Sequence, residues 1–205
     1  MSGFLFIFVM WGIWIISFFL LDKNNPFRYP AAILSLMAVI LHSVSFTLFG
    51  FHFSAASILL LLSAYRFIVH ESWFRKAYLL LCVLIITFGY AGFYLIELYD
   101  PVWVLIDRKV LLAAALIVTG WILLPGCLTC RYAAIVIGSL QGEVFLAIFL
   151  SKWKIPYIIG SMEYLDVYAV IVSALVLTFM GERLLWSMKL LIDMKTKEKK
   201  TMLHD

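Results

Sequence analysis

YAAIVIGSLQGEVFLAIFL, residues 132–150, decides the fold. A helix that crosses the hydrocarbon core of a bilayer needs about 20 mostly apolar residues. This run meets that need, yet it holds Gln141 and Glu143 in its second half. The rest of the chain is of the same kind. Of its 205 residues 65% are hydrophobic and only 14% charged, and its mean hydropathy is +1.05. A water-soluble domain averages about 45–50% apolar and about 25% charged residues. No soluble core of this size could hide the surplus, so lipid is the expected solvent and the lipid bilayer the first partner. The expected fold class is an all-α integral membrane helix bundle.

Seven apolar segments reach membrane length: Phe4–Leu21, Ala31–Phe49, Phe53–Val69, Ala77–Leu98, Pro101–Leu124, Tyr132–Leu150 and Tyr164–Met180. The breaks between them carry turn chemistry. "DKNNPFRYP" (22–30) has two prolines and two asparagines, and "YDPVW" offers Asp100 as a cap with Pro101 at the first helical position. "PG" at 125–126 closes the fifth segment, and "KWKIPYIIG" (152–160) is a longer connection suited to the interface. The weakest break is Gly50–His52, where a tight helical hairpin is expected because Ala31–Val69 is too long for one crossing. The first segment has no basic stretch before it and no small-residue cleavage site after it, so it reads as retained.

With seven crossings, 12 of the 16 Lys and Arg residues fall on one side of the membrane and 4 on the other. Basic residues near helix ends stay cytoplasmic. The amino terminus is therefore expected outside and the carboxyl terminus in the cytoplasm of a multi-pass protein of the cell membrane. The organisation reads as a seven-helix transmembrane domain over 1–183 and a cytoplasmic tail over 184–205. In the tail, Leu184, Leu185, Met188, Leu191 and Ile192 share a helical face opposite Arg183, Lys189 and Asp193. "KTKEKK" (195–200) follows, suited to solvent or anionic lipid. No basic patch is laid out for nucleic acid.

Ionisable groups inside a bilayer are expensive and face other helices. His42 and Glu143 each lie 11 residues past the start of their segments, which places both roughly 16 Å deep at about 1.5 Å per residue. Around Glu143, Ala134, Gly138 and Gly142 recur every fourth residue as a small stripe for close helix packing, with Ser139 on the adjoining face and Gln141 on the other flank. Around His42, Ala31, Ser35, Ala38 and Ser45 form a small and polar line. Glu143 and His42 are expected to pair, or each to meet a hydroxyl or water. An interhelical structural bond and an ion- or proton-transport role both stay open. Arg66, in the last turn of its segment, can snorkel. Glu97, Asp100, Asp107, Arg108 and Lys109 gather at the outer ends of the fourth and fifth segments, where Asp166 can join them.

The three cysteines build no even disulfide framework. Cys82 reads as packing. Cys127-Leu-Thr-Cys130 has redox spacing, but it lies on the cytoplasmic side without a second pair to pass electrons onward. Two cysteines without nearby histidines leave a zinc site half empty. No nucleophile motif, HExxH or Gly-rich phosphate loop is present, so no catalytic residue, cofactor or metal is expected. The aromatic first segment, with Trp11 and Trp14, suits lipid contact.

"WGIW", "NPFRYP", "YDPVWVLIDR" and "GSLQGEVF" together resemble the YphA-type (SeaA) membrane proteins of endospore-forming bacteria, over nearly the whole chain. The resemblance implies an integral membrane protein linked to spore envelope assembly, with no activity, cofactor or catalytic residue to carry over. The expected function is a non-enzymatic scaffold or assembly factor contacting other membrane or envelope proteins. The rival is a small proton- or ion-coupled transporter using His42 and Glu143.

Overall fold

The computed structural model describes residues 3–23, 25, 28–48, 50–69, 71–100 and 107–201, leaving aside the side chains of 179, 182–187 and 189–201. Among the described residues seven α-helices follow one another: α1 (Phe4–Ile15), α2 (Arg28–Leu41), α3 (Ala55–Val69), α4 (Trp73–Tyr99), α5 (Arg108–Leu123), α6 (Leu128–Ser151) and α7 (Met162–Thr201). Each grows from one of the seven apolar segments. Two of them, α4 and α6, are long and apolar enough to cross a membrane by length and composition, at mean hydropathies of 2.4 and 2.0.

The most apolar stretch of α6 is 72% buried, against 39% for that of α4. A helix hydrophobic all round belongs at the centre of a bundle, and α6 does: it packs on α3, α4, α5 and α7. α1 bridges α2 and α7 at one edge. Around this centre, large apolar side chains such as Leu80, Leu81 and Phe88 of α4, and Phe8 and Phe19 near the amino terminus, point outward. Apolar area on this scale suits hydrocarbon and would be a liability in water. The tryptophans behave as expected, Trp14 meeting Trp11, Phe18 and Phe19 ring to ring at the periphery.

Two sequence expectations are corrected. The helical hairpin expected at Gly50–His52 is a β-hairpin, so the helical fold carries one small sheet. α2 stops at Leu41, and β1 (Ser45–Leu48) pairs antiparallel with β2 (Phe51–Ser54), Phe46 opposite Phe53. "SFTLFGFHF" sets four phenylalanines and Thr47 around a glycine, a composition that favours strands and a turn over a continuous helix. Gly50 turns the chain at φ 83. A third strand, β3 (Ile158–Ile159), comes from the connection after α6 and lies parallel to β2. Second, α5 starts at Arg108 and not at Pro101: Asp107 is its cap, its carboxylate accepting from the Lys109 amide at 2.9 Å. Pro101 lies outside the described residues, and Asp100 ends α4. The first segment keeps its expected length, finishing as a π-helical turn (Ile16–Leu20) with the Leu21 amide bonded to the Ile16 carbonyl.

The backbone of α7 continues as one helix through residue 201. The amphipathic face expected for the tail falls mostly outside the described side chains; Met188, within them, is exposed.

The connections sort into two ends. At one, the sheet joins the α2–α3 and α6–α7 connections. There too Asp166 of α7 accepts from the backbone amides of Gly3 (2.9 Å) and Phe6 (3.1 Å) and from Lys109 Nζ of α5 (2.6 Å). Arg108 bridges Glu97 of α4 at 3.4 Å and Glu163 of α7. Of the acid–base cluster expected near the fourth and fifth segments, Glu97 pairs with Arg108, and Lys109 pairs with Asp166. At the other end, the Glu71 carboxylate of the α3–α4 connection approaches Cys130 at the start of α6.

Candidate functional site

Glu143 is fully buried, at 0% exposure, and three donors from two elements close on it. From α4 the Tyr90 hydroxyl donates to Oε1. From the connection after α6 the Tyr157 hydroxyl donates to the same oxygen at 2.7 Å. The Gly160 amide donates to Oε2 at 3.1 Å. Ionised carboxylates are acceptors only, with room for several donors, so all three bonds can be made at once. Burial, and then the neighbouring Glu143 charge, push the Tyr157 phenol well above its ordinary range, which keeps it a donor.

Local structure sets each donor. The small stripe on α6 faces α4, as its spacing implies. A β-carbon on Gly138 would stand 2.7 Å from the Ile86 side chain and 3.0 Å from the Val83 carbonyl, and one on Gly142 would stand 2.7 Å from the Tyr90 ring. That closeness lets Tyr90 reach across to Glu143, one residue along. It also lets Thr87 Oγ1 donate to the Gly138 carbonyl at 3.1 Å. Gly160 adopts φ 71 and lies flat against Ser57 of α3, where any β-carbon would collide. β3 immediately precedes it, so pairing with β2 delivers the Gly160 amide to the carboxylate. The Glu143 side chain thus ties α4, α6 and the returning connection into one unit.

The polar line continues along α6. Ser139 Oγ lies 3.0 Å from the Tyr164 hydroxyl, and the Tyr132 hydroxyl lies 2.8 Å from that of Tyr168 and 3.3 Å from Ser63 Oγ. Sequence spacing places Ser139 beside Glu143, but it misses the tyrosines. Their signal is a set of phenols inside or beside apolar runs, where an amphipathic ring carries a donor that needs a partner. Gln141 lies on the outer flank of α6, exposed, with Oε1 3.4 Å from Thr87 Oγ1. It borders a small apolar cavity of about 90 Å³ with Phe53, Ser57 and Leu61.

His42 is not among the partners of Glu143. It sits in the turn just past α2, half-buried, with ring Nδ1 2.6 Å from the Val39 carbonyl. Of the two expected outcomes for Glu143, an ion pair with His42 or a bond to a hydroxyl, the structure contains the second. Nearby, Gly50, His52, Ser151, Lys154 and Tyr157 border a cavity of about 280 Å³ between the hairpin and the connection after α6. Lys154 holds a positive φ of 58 there.

Cys127 and Cys130 are joined as a disulfide with their Cα atoms 5.4 Å apart. Glu71 comes to them from the α3–α4 connection, its carboxylate and the two sulfurs lying within 4.8 Å of one another. A third candidate ligand thus stands where sequence spacing provides two.

A family model described as "YphA-like integral membrane protein" matches residues 2–201. The curated protein "Uncharacterized protein YphA" of Bacillus subtilis (strain 168) is 24% identical over 166 residues, which span 81% of each chain. No solved structure matches.

Proposed function

Because the chain belongs to the YphA-like integral membrane protein family, we propose that it is a non-enzymatic, multi-pass scaffold or assembly factor of the cell membrane. It crosses seven times, amino terminus outside and carboxyl terminus in the cytoplasm, and it serves spore envelope assembly through partner proteins. One observation carries the scaffold reading: Glu143, a fully buried acid of α6, directs its three hydrogen bonds within the fold and has no exposed surface. A carrier's coupling acid must exchange its proton or ion with water on alternate sides. Glu143 instead holds the connection after α6 against α4. The seven-crossing topology draws support from the alternation of the connections between two ends, and the orientation from the 12-to-4 split of basic residues.

Glu143→Gln separates the readings. In vesicles, the scaffold reading expects no pH-driven flux from either protein and a reduced melting temperature for the variant. A proton- or ion-dependent flux that the wild type shows and the variant lacks would overturn it. For the assembly role, deletion in an endospore-forming host is expected to leave growth intact and to weaken spore resistance. Normal spores would remove that part of the proposal.

A further inference from the structure

The end of the bundle opposite the sheet holds a cluster that the scaffold reading does not use. Cys127 is the cap of α6, half-buried, and its sulfur accepts the Cys130 amide at 3.3 Å. Cys130, one turn on, is 4% exposed. Glu71 Oε1 lies 3.6 Å from Cys130 Sγ, while Oε2 is held by Arg75 at 2.9 Å. The two sulfurs are within bonding reach. A nucleophilic thiol at a helix amino terminus is stabilised as thiolate by the free amides there. A buried second thiol needs a proton acceptor before it can attack. The two cysteines differ in those two respects, and Glu71 supplies the acceptor. Of the other charges at this end, Lys76 bonds the Val69 carbonyl, and Arg131 the Leu124 carbonyl while stacking on the Trp121 ring.

We propose that Cys127 and Cys130 form a thiol–disulfide exchange couple for a disulfide-bearing partner at this end of the bundle, with Glu71 as the proton acceptor for Cys130. The inference goes beyond the scaffold reading and requires no turnover. In the reduced protein, Cys127 thiolate attacks one sulfur of the partner's disulfide. A Cys127–partner disulfide forms, and the first partner sulfur leaves as thiolate. Cys130 then passes its proton to Glu71 and attacks Cys127 Sγ. The Cys127–Cys130 bond closes and the second partner sulfur leaves as thiolate. Glu71 returns its proton to solvent, and the partner thiolates are protonated there. Two electrons move from this pair to the partner. The mixed disulfide, if left unresolved, tethers the partner covalently to the membrane protein.

The test uses the full chain in lipid nanodiscs, with Cys82→Ala removing the third, buried thiol, and glutathione disulfide as the probe. In the reduced protein, Cys127 is expected to react with iodoacetamide well before Cys130. Cys130→Ala is expected to trap one glutathione on Cys127, whereas the intact pair closes its own disulfide and keeps none. Glu71→Gln is expected to slow release of the bound glutathione roughly a hundredfold at pH 7, the deficit shrinking as pH rises. Three results would each overturn the proposal: equal alkylation of the two cysteines, no trapped adduct, or an unchanged release rate and pH profile in Glu71→Gln. So would one tightly held zinc per reduced chain that shields both thiols, since the cluster would then be a metal site.

Discussion

At the scale of the residue, Glu143 shows how a fully buried acid can be held without a counter-charge. Its two oxygens take three donors from two tyrosines and one amide, and the hydrogen bonds replace lost hydration. The set has a predictable hierarchy. Tyr157→Phe removes one donor while Tyr90 still serves the same oxygen, so the loss should be about 0.5–1.5 kcal/mol. Glu143→Gln presents an amide group to partners that all donate, leaving at least one buried donor unmatched, and should cost more, about 1–3 kcal/mol per stranded group. Thermal unfolding in one detergent should rank the wild type above Tyr157→Phe and that above Glu143→Gln; the reverse order would show that Glu143 is not the keystone. Gly160→Ala should be at least as damaging as Tyr157→Phe. It adds about 1–2 kcal/mol for a left-handed backbone to a collision with Ser57. The presence of Glu143 among helix neighbours was legible from its place in an apolar run. Its partners were not, because Tyr90 lies 53 residues away and Gly160 17, and periodicity carries no information across that separation.

At the scale of the element, the contact between α4 and α6 depends on missing side chains. Without a hydrophobic force between helices in lipid, close van der Waals approach drives association. Gly138 and Gly142 permit that approach. Gly138→Ala would force Ile86 aside and press on the Val83 carbonyl, with an expected loss of about 1–3 kcal/mol. Gly89, on α4, meets nothing within 4 Å where its β-carbon would be. Gly89→Ala should therefore be neutral or stabilising by up to about 1 kcal/mol. Equal melting temperatures for the two variants would refute the assignment of Gly138 to the interface. Repetition at every fourth residue exposes this stripe to a reader of the sequence. The β-hairpin was hidden for the opposite reason. Strong hydropathy in "SFTLFGFHF" reads as membrane span, and the strand that β3 adds to the hairpin comes from far along the chain.

At the scale of the whole molecule, Asp166 and the sheet act as two clasps at the same end. Asp166 gathers the start of α1, Lys109 of α5 and its own α7, and the sheet joins the second and sixth connections. For the sheet to close, α3 to α6 must return the chain to the same end, and for the Asp166 clasp α5 and α6 must do so. Single cysteines at Gly50 and Trp153, in a background without native cysteines, should then label with an impermeant maleimide from outside intact cells. Those at Ser72 and Gly126 should label only after permeabilisation. Labelling of Gly50 and Ser72 from the same side would break the topology.

The chain's composition and the spacing of its apolar runs settled its solvent, the places of its helices and the small stripe on α6, because burial in lipid is demanded locally, residue by residue. Which donors answer Glu143, where Asp166 finds its cation and how a strand forms beneath a loop were decided only by packing. Those bonds join groups that neither hydropathy nor helical period brings together, and they exist because α6, apolar on every side, draws the other helices around it.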